Sequence, residues 1–458
     1  MGTVESILSH SDERAFLGHP KGLFYLAFTE AWERFSYYGM TALLVLYMIN
    51  QLLLPGHVEN VAGFAGFRSA MESLVGPQSP QALASRIFGL YSGFVYFTPM
   101  LGGLVADRWI GQRNAVVTGA ILMSAGHVAM AFEQSFLLAL LLLVTGSGFL
   151  KGNISAQVGS LYARDDEARR TRAFTIFSTG INIGAVLGPL LCGLLAQVYG
   201  WHYGFGVAGL FMLAGLATYL YGYRHLPPRV MGNDNRQNGN LTARDWYTML
   251  GIIAVIVITI FQSISQYQEF NVFPVWIQQH VARQIDGYTI PIPWFFSLES
   301  LTSIMVAPLL FLIWRWQASR RKEPGDLSKI GIGAALSAVT NLILVVATLA
   351  STGTRIHPIW PALYCVGTGI AFMYYWPTTL ALVSRAAPAK VNATMLGIAF
   401  MSLFVSNNLI GWIGGFYERM RPIEFWALHA AIAATGGLIV LIFGRRLGRV
   451  LGAEAQQS

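Results

Sequence analysis

Apolar residues run along this chain in long blocks, each near the length of a bilayer-crossing helix and separated by short polar breaks. A helix rises about 1.5 Å per residue, so about 20 predominantly apolar residues cross the hydrocarbon layer. The pattern predicts twelve spans: Gly22–Asn50, Ser85–Val105, Arg113–Phe132, Ser135–Gln157, Phe174–Val198, Tyr203–Tyr223, Tyr247–Val275, Pro293–Trp316, Ser328–Ala350, Pro358–Arg385, Asn392–Tyr417 and Glu424–Phe443. A polar, Asn-rich stretch from Arg224 to Trp246 divides them evenly. The expected fold is therefore an all-α membrane protein of twelve transmembrane helices in two six-helix bundles, residues 1–223 and 247–458, joined by a cytoplasmic linker at 224–246. Two such bundles rocking about a central site is the layout of a secondary transporter. The loop from Gln51 to Ala84 carries no strong pattern and reads equally as an external cap or as disorder.

One block breaks its own pattern. Glu30, Glu33 and Arg34 fall inside the first apolar block, in the run FTEAWERFSYYGM. Ionisable groups at that depth are costly, face a protected polar cavity, pair with one another, and mark an ion or substrate path. Spacings of three and four residues put all three on one side of a helix, and Tyr37, Tyr38 and Thr41 continue that side. Lys151, in the fourth block, brings the formal charge of Glu30, Glu33, Arg34 and Lys151 to zero, which a dry site tolerates best. If Lys151 faces the first helix it pairs with a glutamate, and protonation of that glutamate releases it. The competing reading is a static network of ion pairs that only fixes helix packing.

Composition agrees with the membrane reading. Hydrophobic residues make up 54% of the chain and charged residues 11%, against roughly 25% charged in soluble domains. The net charge of +8 is concentrated in alternate loops, so it reads as a topology signal and not as a nucleic-acid surface. Arg108 and Arg113 follow the second block; Arg164, Arg169, Arg170 and Arg172 the fourth; Arg224, Arg229, Arg236 and Arg244 the sixth; Arg320, Arg321, Lys322 and Lys329 the eighth; Arg385 and Lys390 the tenth; Arg445, Arg446 and Arg449 the last. By the positive-inside rule both termini are cytoplasmic, and a multi-pass protein of the plasma membrane, of bacterial inner-membrane type, is expected. The opening MGTVESILSHSDERAFLGHPKG lacks the apolar core of a cleavable signal peptide. Cys192 and Cys365 lie far apart in apolar blocks and support neither a disulfide framework nor a metal site. The histidines, His127 and His202 among them, do not group with a nucleophile or metal ligands; His127 reads as a packed, hydrogen-bonded residue. No catalytic residue, metal or cofactor is expected, and the chain does not read as an enzyme.

Several stretches carry a resemblance. EAWERFSYYG resembles the first-span signature of the proton-dependent oligopeptide transporters, within the major facilitator superfamily, and so do VYFTPMLGGLVADRWIGQRNAV, GFLKGNISAQVG, FTIFSTGINIGAVLGPLLCG and GWHYGFGVAGLFML. The C-terminal half matches more sparsely, through IPIPWFFSLESL, the Pro377 region and APAKVNATMLGIAF. The resemblance implies the twelve-helix fold and proton-coupled symport of di- or tripeptides or peptide-like solutes by alternating access. Bacterial members often carry two extra helices between the halves; the Arg224–Trp246 connection is too short to hold them.

Carried onto this chain, the resemblance assigns proton coupling to Glu30, Glu33, Arg34 and Lys151, with Lys151 also meeting the peptide carboxylate. It puts Tyr37, Tyr38, Tyr96 and Asn182 at the substrate, where phenol and amide groups hydrogen-bond a peptide backbone without burying full charge; packing or interface anchoring is the other reading of these four. It likens GGLVADRWIGQR to the cytoplasmic signature of the superfamily, in which Asp107, Arg108 and Arg113 hold the inward gate against a neighbouring helix end. The small residues of GINIGAVLG read as helix packing.

The departures from the family pattern gather in the C-terminal half. Thr41 stands where a basic residue is usual, and Ser265 and Gln266 where an acid is usual, so a charge pair is lost together. Phe372 replaces a tenth-span glutamate that holds the peptide amino terminus, and Ala399 replaces a tryptophan, which alters pocket polarity and volume. Glu299 replaces an asparagine and is read as taking over the ammonium group of the substrate, or a proton; alternatively it reaches water near the outer face. Glu269, near the outer end of the seventh span, is a weaker candidate for the same role and reads better as a water-exposed gate or loop residue. The expected partners are a small-molecule peptide or peptide-like substrate, protons and the lipid bilayer, without nucleic acid. Two other functions stay open: transport of a modified peptide, antibiotic, siderophore-like solute or organic ion with altered proton coupling, and a non-transporting membrane sensor.

Overall fold

The computed structural model describes residues 15–16, 18–162, 166–226, 241–320, 322–351 and 353–452. Residues 1–14 of the opening segment, the linker residues 227–240, and Arg164, Arg229, Arg236 and Arg321 of the orientation argument lie outside the described residues. The helices are α1 (Lys21–Tyr47), α2 (Phe64–Val75), α3 (Pro80–Val105), α4 (Gly111–Ala129), α5 (Phe136–Ser160), α6 (Glu167–Tyr199), α7 (Trp201–Gly222), α8 (Ala243–Tyr267), α9 (Phe273–His280), α10 (Pro293–Ser319), α11 (Asp326–Ala350), α12 (Ile359–Ala386), α13 (Asn392–Gly414) and α14 (Pro422–Val450). Among the described residues all but α2 and α9 are long helices, which gives the twelve expected.

Nine segments among the described residues are long and apolar enough to cross a membrane, and one of them, Pro80–Ala129, contains both α3 and α4. α1 is outside that set and carries Lys21, Glu30, Glu33 and Arg34; α12 is outside it and is interrupted by prolines, glycines and polar aromatics. The protein is a multi-pass membrane protein.

Several boundaries move, each for a local reason. α6 starts at Glu167, seven residues before the apolar block, because the Asp166 carboxylate accepts the backbone N–H of Arg169 at 3.2 Å and caps a polar first turn. The expected span Tyr247–Val275 is two helices: α8 stops at Tyr267, Gln268–Phe270 form a tight turn, and α9 begins at Phe273 with Pro274 in its first turn. Proline lacks the N–H that would bond the carbonyl four residues back, which suits it to the first turn of a helix, where that N–H has no intrahelical partner. α14 extends past Phe443 through Arg445, Arg446 and Arg449 to Val450.

The loop from Gln51 to Ala84 is ordered as α2 with short turns. Arg68 Nε donates to Glu72 Oε1 at 2.9 Å and the Gln78 amide donates to the same oxygen at 3.1 Å. These two bonds hold the Glu72 carboxyl below the usual carboxylate range. Strands β1 (Ala15–Phe16) and β2 (His19–Pro20) pair before α1, and β3 (Gln284–Ile285) and β4 (Tyr288–Thr289) pair between α9 and α10. Asp286 at φ 48° and Gly287 at φ 84° make the two-residue turn of the second hairpin, both left-handed as that turn demands.

The chain divides into two compact units. The first comprises Met1–Leu43, Pro55–Phe67 and Phe97–Asp234; the second comprises Leu44–Leu54, Arg68–Tyr96 and Asn235–Ser458. In the first, α6 lies against α1 through Gly180, Gly184 and Gly188. A Cβ on Gly180 would come within 2.7 Å of the Ala27 carbonyl, and one on Gly184 or Gly188 would run into the Ala31 or Phe35 carbonyl. The fourfold spacing of small residues is thus a packing stripe, as expected. In the second unit, the N-terminal part of α3 crosses α13 where Gly89 meets Gly411: a Cβ on Gly89 would lie 2.6 Å from the Asn407 carbonyl and 2.7 Å from Gly411 Cα. The second unit is centred on fully buried aromatics, with the rings of Phe273 and Tyr364 4.4 Å apart and Trp276 and Trp426 edge to face at 6.2 Å.

Candidate functional site

α1 positions the cluster. Its residues 27, 31 and 35 face the α6 glycines, which fixes the azimuth of the helix and turns Glu30, Glu33 and Arg34 inward. Glu33 is 0% exposed, Glu30 3% and Arg34 9%. Arg34 Nε donates to Glu30 Oε1 at 2.8 Å and approaches Glu33 Oε2 at 2.7 Å. The second approach lacks hydrogen-bond geometry, and neither oxygen of Glu33 accepts a hydrogen bond among the described residues. One guanidinium thus serves two carboxylates, and Glu33 keeps acceptor capacity unused.

Lys151, on α5, sits with its ammonium 4.3 Å from the centre of the Tyr37 ring. Arg34 stands 5.7 Å from the same ring. Tyr38 packs edge to face on Tyr37 at 5.2 Å. The structure therefore brings Glu30, Glu33, Arg34, Tyr37, Tyr38 and Lys151 into one group within the first unit. Asn182 is half-buried on α6, two residues from both Gly180 and Gly184, and so lies on the side of α6 away from the α1 stripe.

Tyr96 belongs to the second unit, its hydroxyl 3.2 Å from that of Tyr267. Arg113, at the start of α4, donates to the Leu226 carbonyl beyond α7 and stacks at 4.8 Å on Tyr223. Asp107 and Arg108 are exposed and form no ion pair with a described residue.

Glu299 lies on α10, half-buried, and accepts from Ser300 Oγ at 3.3 Å. Glu269, read from sequence as water-exposed, is 0% exposed instead, in the tight turn after α8, and borders Glu299 and the Cys365 thiol. Its signal was present: Gln262, Ser265, Gln266 and Glu269 recur at helical spacing as a polar stripe. The neighbouring Gln268 meets the ring of His429 at 3.1 Å, and His429 Nδ1 donates to the Phe425 carbonyl at 2.8 Å.

The departures are accommodated quietly. Asn341 Nδ2 donates to Ser265 Oγ at 2.5 Å, Thr41 and Gln266 are buried, and Phe372 packs edge to face on Tyr375 at 5.9 Å. Ala399 is fully buried in an apolar cluster with Ile252, Ile256, Val383 and Met395. His127 is fully buried with neither ring nitrogen hydrogen-bonded among the described residues, which corrects the hydrogen-bonded role expected for it.

A model of the Major Facilitator Superfamily matches residues 26–411. This chain belongs to that superfamily and, within it, to the proton-dependent oligopeptide transporters as a divergent member. Among its relatives, the uncharacterized transporter YclF of Bacillus subtilis is 27% identical, with 96% of each chain covered. The peptide transporter YePEPT of Yersinia enterocolitica is 27% identical over 94% of this chain and 95% of its own. The di-/tripeptide transporter of Lactococcus lactis subsp. cremoris is 27% identical over 96% and 98%. A crystal structure of a mutant peptide transporter in complex with alafosfalin superimposes with a TM-score of 0.84 at 26% identity, covering 97% of this chain and 99% of that one.

Proposed function

We propose that the protein is a proton-coupled symporter that imports di- or tripeptides or peptide-like solutes by alternating access. The observation that carries this reading is Glu33: a fully buried carboxylate beside one shared guanidinium, with both oxygens open to a proton. Proton loading there leaves Arg34 to Glu30 alone and alters what Arg34 and Lys151 offer to an incoming carboxylate. Arg34 and Lys151 would receive the carboxylate end of the substrate, Tyr37, Tyr38, Tyr96 and Asn182 its peptide groups, and Glu299 its ammonium. Peptide transport by YePEPT and the Lactococcus protein, and the alafosfalin complex of the neighbour, support a peptide-like solute.

In this reading residues 1–223 and 247–458 are the two bundles and 224–246 the linker, with both termini cytoplasmic in a bacterial plasma membrane, in line with the arginine-rich alternate loops. Arg113 would latch the cytoplasmic end of the first bundle through Leu226, with Asp107 and Arg108 beside it at the gate. Proteoliposomes test the function: an imposed inward proton gradient drives accumulation of labelled dipeptide in the natural protein, whereas Glu33→Gln loses gradient-driven accumulation and keeps counterflow. No accumulation of any solute in the natural protein would overturn the reading and favour the sensor. Phe372 in place of the usual tenth-span acid favours a second reading, a modified peptide or other organic ion, which a counterflow panel of labelled solutes separates.

A further inference from the structure

The turn after α8 and the facing part of α10 carry one acid each, Glu269 and Glu299, neither belonging to the cluster on α1. Phe270 packs on Phe296 with ring centroids 5.2 Å apart, and Phe296 lies one helical turn before Glu299 on α10. On the other side, α10 meets α12 closely: a Cβ on Gly369 would stand 2.6 Å from the Glu299 carbonyl. Glu269, adjacent to Phe270, is enclosed where the α8 turn, α10 and α12 converge.

The titratable groups that face Glu269 are Glu299 from α10 and Tyr364 and Cys365 from α12. His429 of α14 approaches only as far as Gln268, to which it is hydrogen-bonded. Tyr375 of α12 faces Glu299. Among the described residues no lysine or arginine offsets either acid. Neither oxygen of Glu269 accepts an N–H or O–H hydrogen bond among the described residues, whereas Glu299 is half-buried and bonded by Ser300.

Two neighbouring acids without a cation do not both stay ionised in an apolar enclosure. We propose that Glu269 and Glu299 form a second proton-binding site, in which Glu269 carries the proton and Glu299 keeps the charge. A hard metal cation would need about six oxygen ligands; here two carboxylates stand among Phe270, Phe273, Phe296 and Tyr364, and a single oxygen suffices for a proton. The site stands whether or not the transport reading of Glu33 holds.

Infrared spectroscopy of the full chain in lipid at neutral pH tests it without requiring transport. The natural protein is expected to show the carbonyl stretch of a buried protonated carboxyl. That band is expected to be lost in Glu269→Gln and kept in Glu299→Gln, with both variants remaining monodisperse after purification. Loss of the band in Glu299→Gln alone would give the proton to Glu299 and overturn the assignment. Loss of the band from the natural protein on adding sodium or potassium would put a metal cation in the site and overturn it equally. A band unaffected by Glu269→Gln would do the same. If Glu269→Gln does not fold, Glu269→Asp, which keeps an acid one methylene shorter, is expected to keep the band at a shifted frequency, and an unshifted band would sink the proposal.

Discussion

Lys151 Nζ stands 4.3 Å above the Tyr37 ring, and Arg34 approaches the same ring at 5.7 Å, so one phenol faces two cations from different helices. The negative face of an aromatic ring attracts a cation by about 0.5–2 kcal/mol, more when desolvated. Tyr37→Phe keeps that face and is expected to hold peptide affinity within about threefold, whereas Tyr37→Leu removes it and is expected to weaken affinity by about two- to thirty-fold. Counterflow inhibition by unlabelled dipeptide measures both, and equal behaviour of the two variants would contradict the role given to the ring.

Arg34 Nε meets both Glu30, at 2.8 Å, and Glu33, at 2.7 Å. Its removal leaves two buried carboxylates facing each other, and breaking a buried pair from one side costs about 3–5 kcal/mol. Arg34→Met is expected to lower the thermal unfolding temperature strongly. Adding Glu33→Gln restores formal neutrality with Glu30 and Lys151 and is expected to recover much of that loss, yet not gradient-driven uptake. Thermal unfolding in detergent and uptake in liposomes separate the structural from the functional share.

The α6 stripe leaves no space for a side chain at Gly184, whose added Cβ would strike the Ala31 carbonyl and approach Arg34 Cβ at 2.8 Å. Gly184→Ala is expected to destabilise by about 1–3 kcal/mol through overpacking. Gly103→Ala on α3, where an added Cβ meets nothing within 4 Å, is expected to be neutral. The pair, compared by thermal unfolding, distinguishes close helix approach from a general intolerance of glycine replacement.

What could be read from the chain follows what local physics controls. The apolar blocks gave the twelve long helices because span length is dictated by bilayer thickness. The Glu30–Glu33–Arg34 stripe was visible because its members share one helix, where spacing alone decides the face. The break between α8 and α9 was missed because an apolar run looks the same whether or not Pro274 starts a new helix inside it. Glu269 was misread for a related reason: the polar stripe it shares with Gln262, Ser265 and Gln266 was legible, but that α10 and α12 close over its turn is a tertiary fact that the stripe does not carry. That the Tyr96 hydroxyl lies 3.2 Å from that of Tyr267 was also invisible, since pairing between distant helices leaves no periodic trace.

The Gly89–Gly411 crossing joins the N-terminal part of α3 to α13 through backbone contact, with Gly93 beside Asn408 continuing it one turn on. Contacts that need bare backbone on both sides are sensitive to a single added methyl, and their loss separates the two helices as a unit. Under the transport reading this crossing is the closed outer gate. Gly89→Val is therefore expected to shift the population toward an outer-open state while leaving the protein folded. Ser92 lies one turn along α3 and is 2% exposed, so Ser92→Cys reports the change once Cys192 and Cys365 have been replaced. Labelling of Ser92→Cys by a membrane-impermeant maleimide from outside is expected to be slow on the natural background and at least several-fold faster with Gly89→Val. Unchanged labelling in a folded Gly89→Val variant would mean that the crossing is permanent packing and that the outer gate lies on other helices.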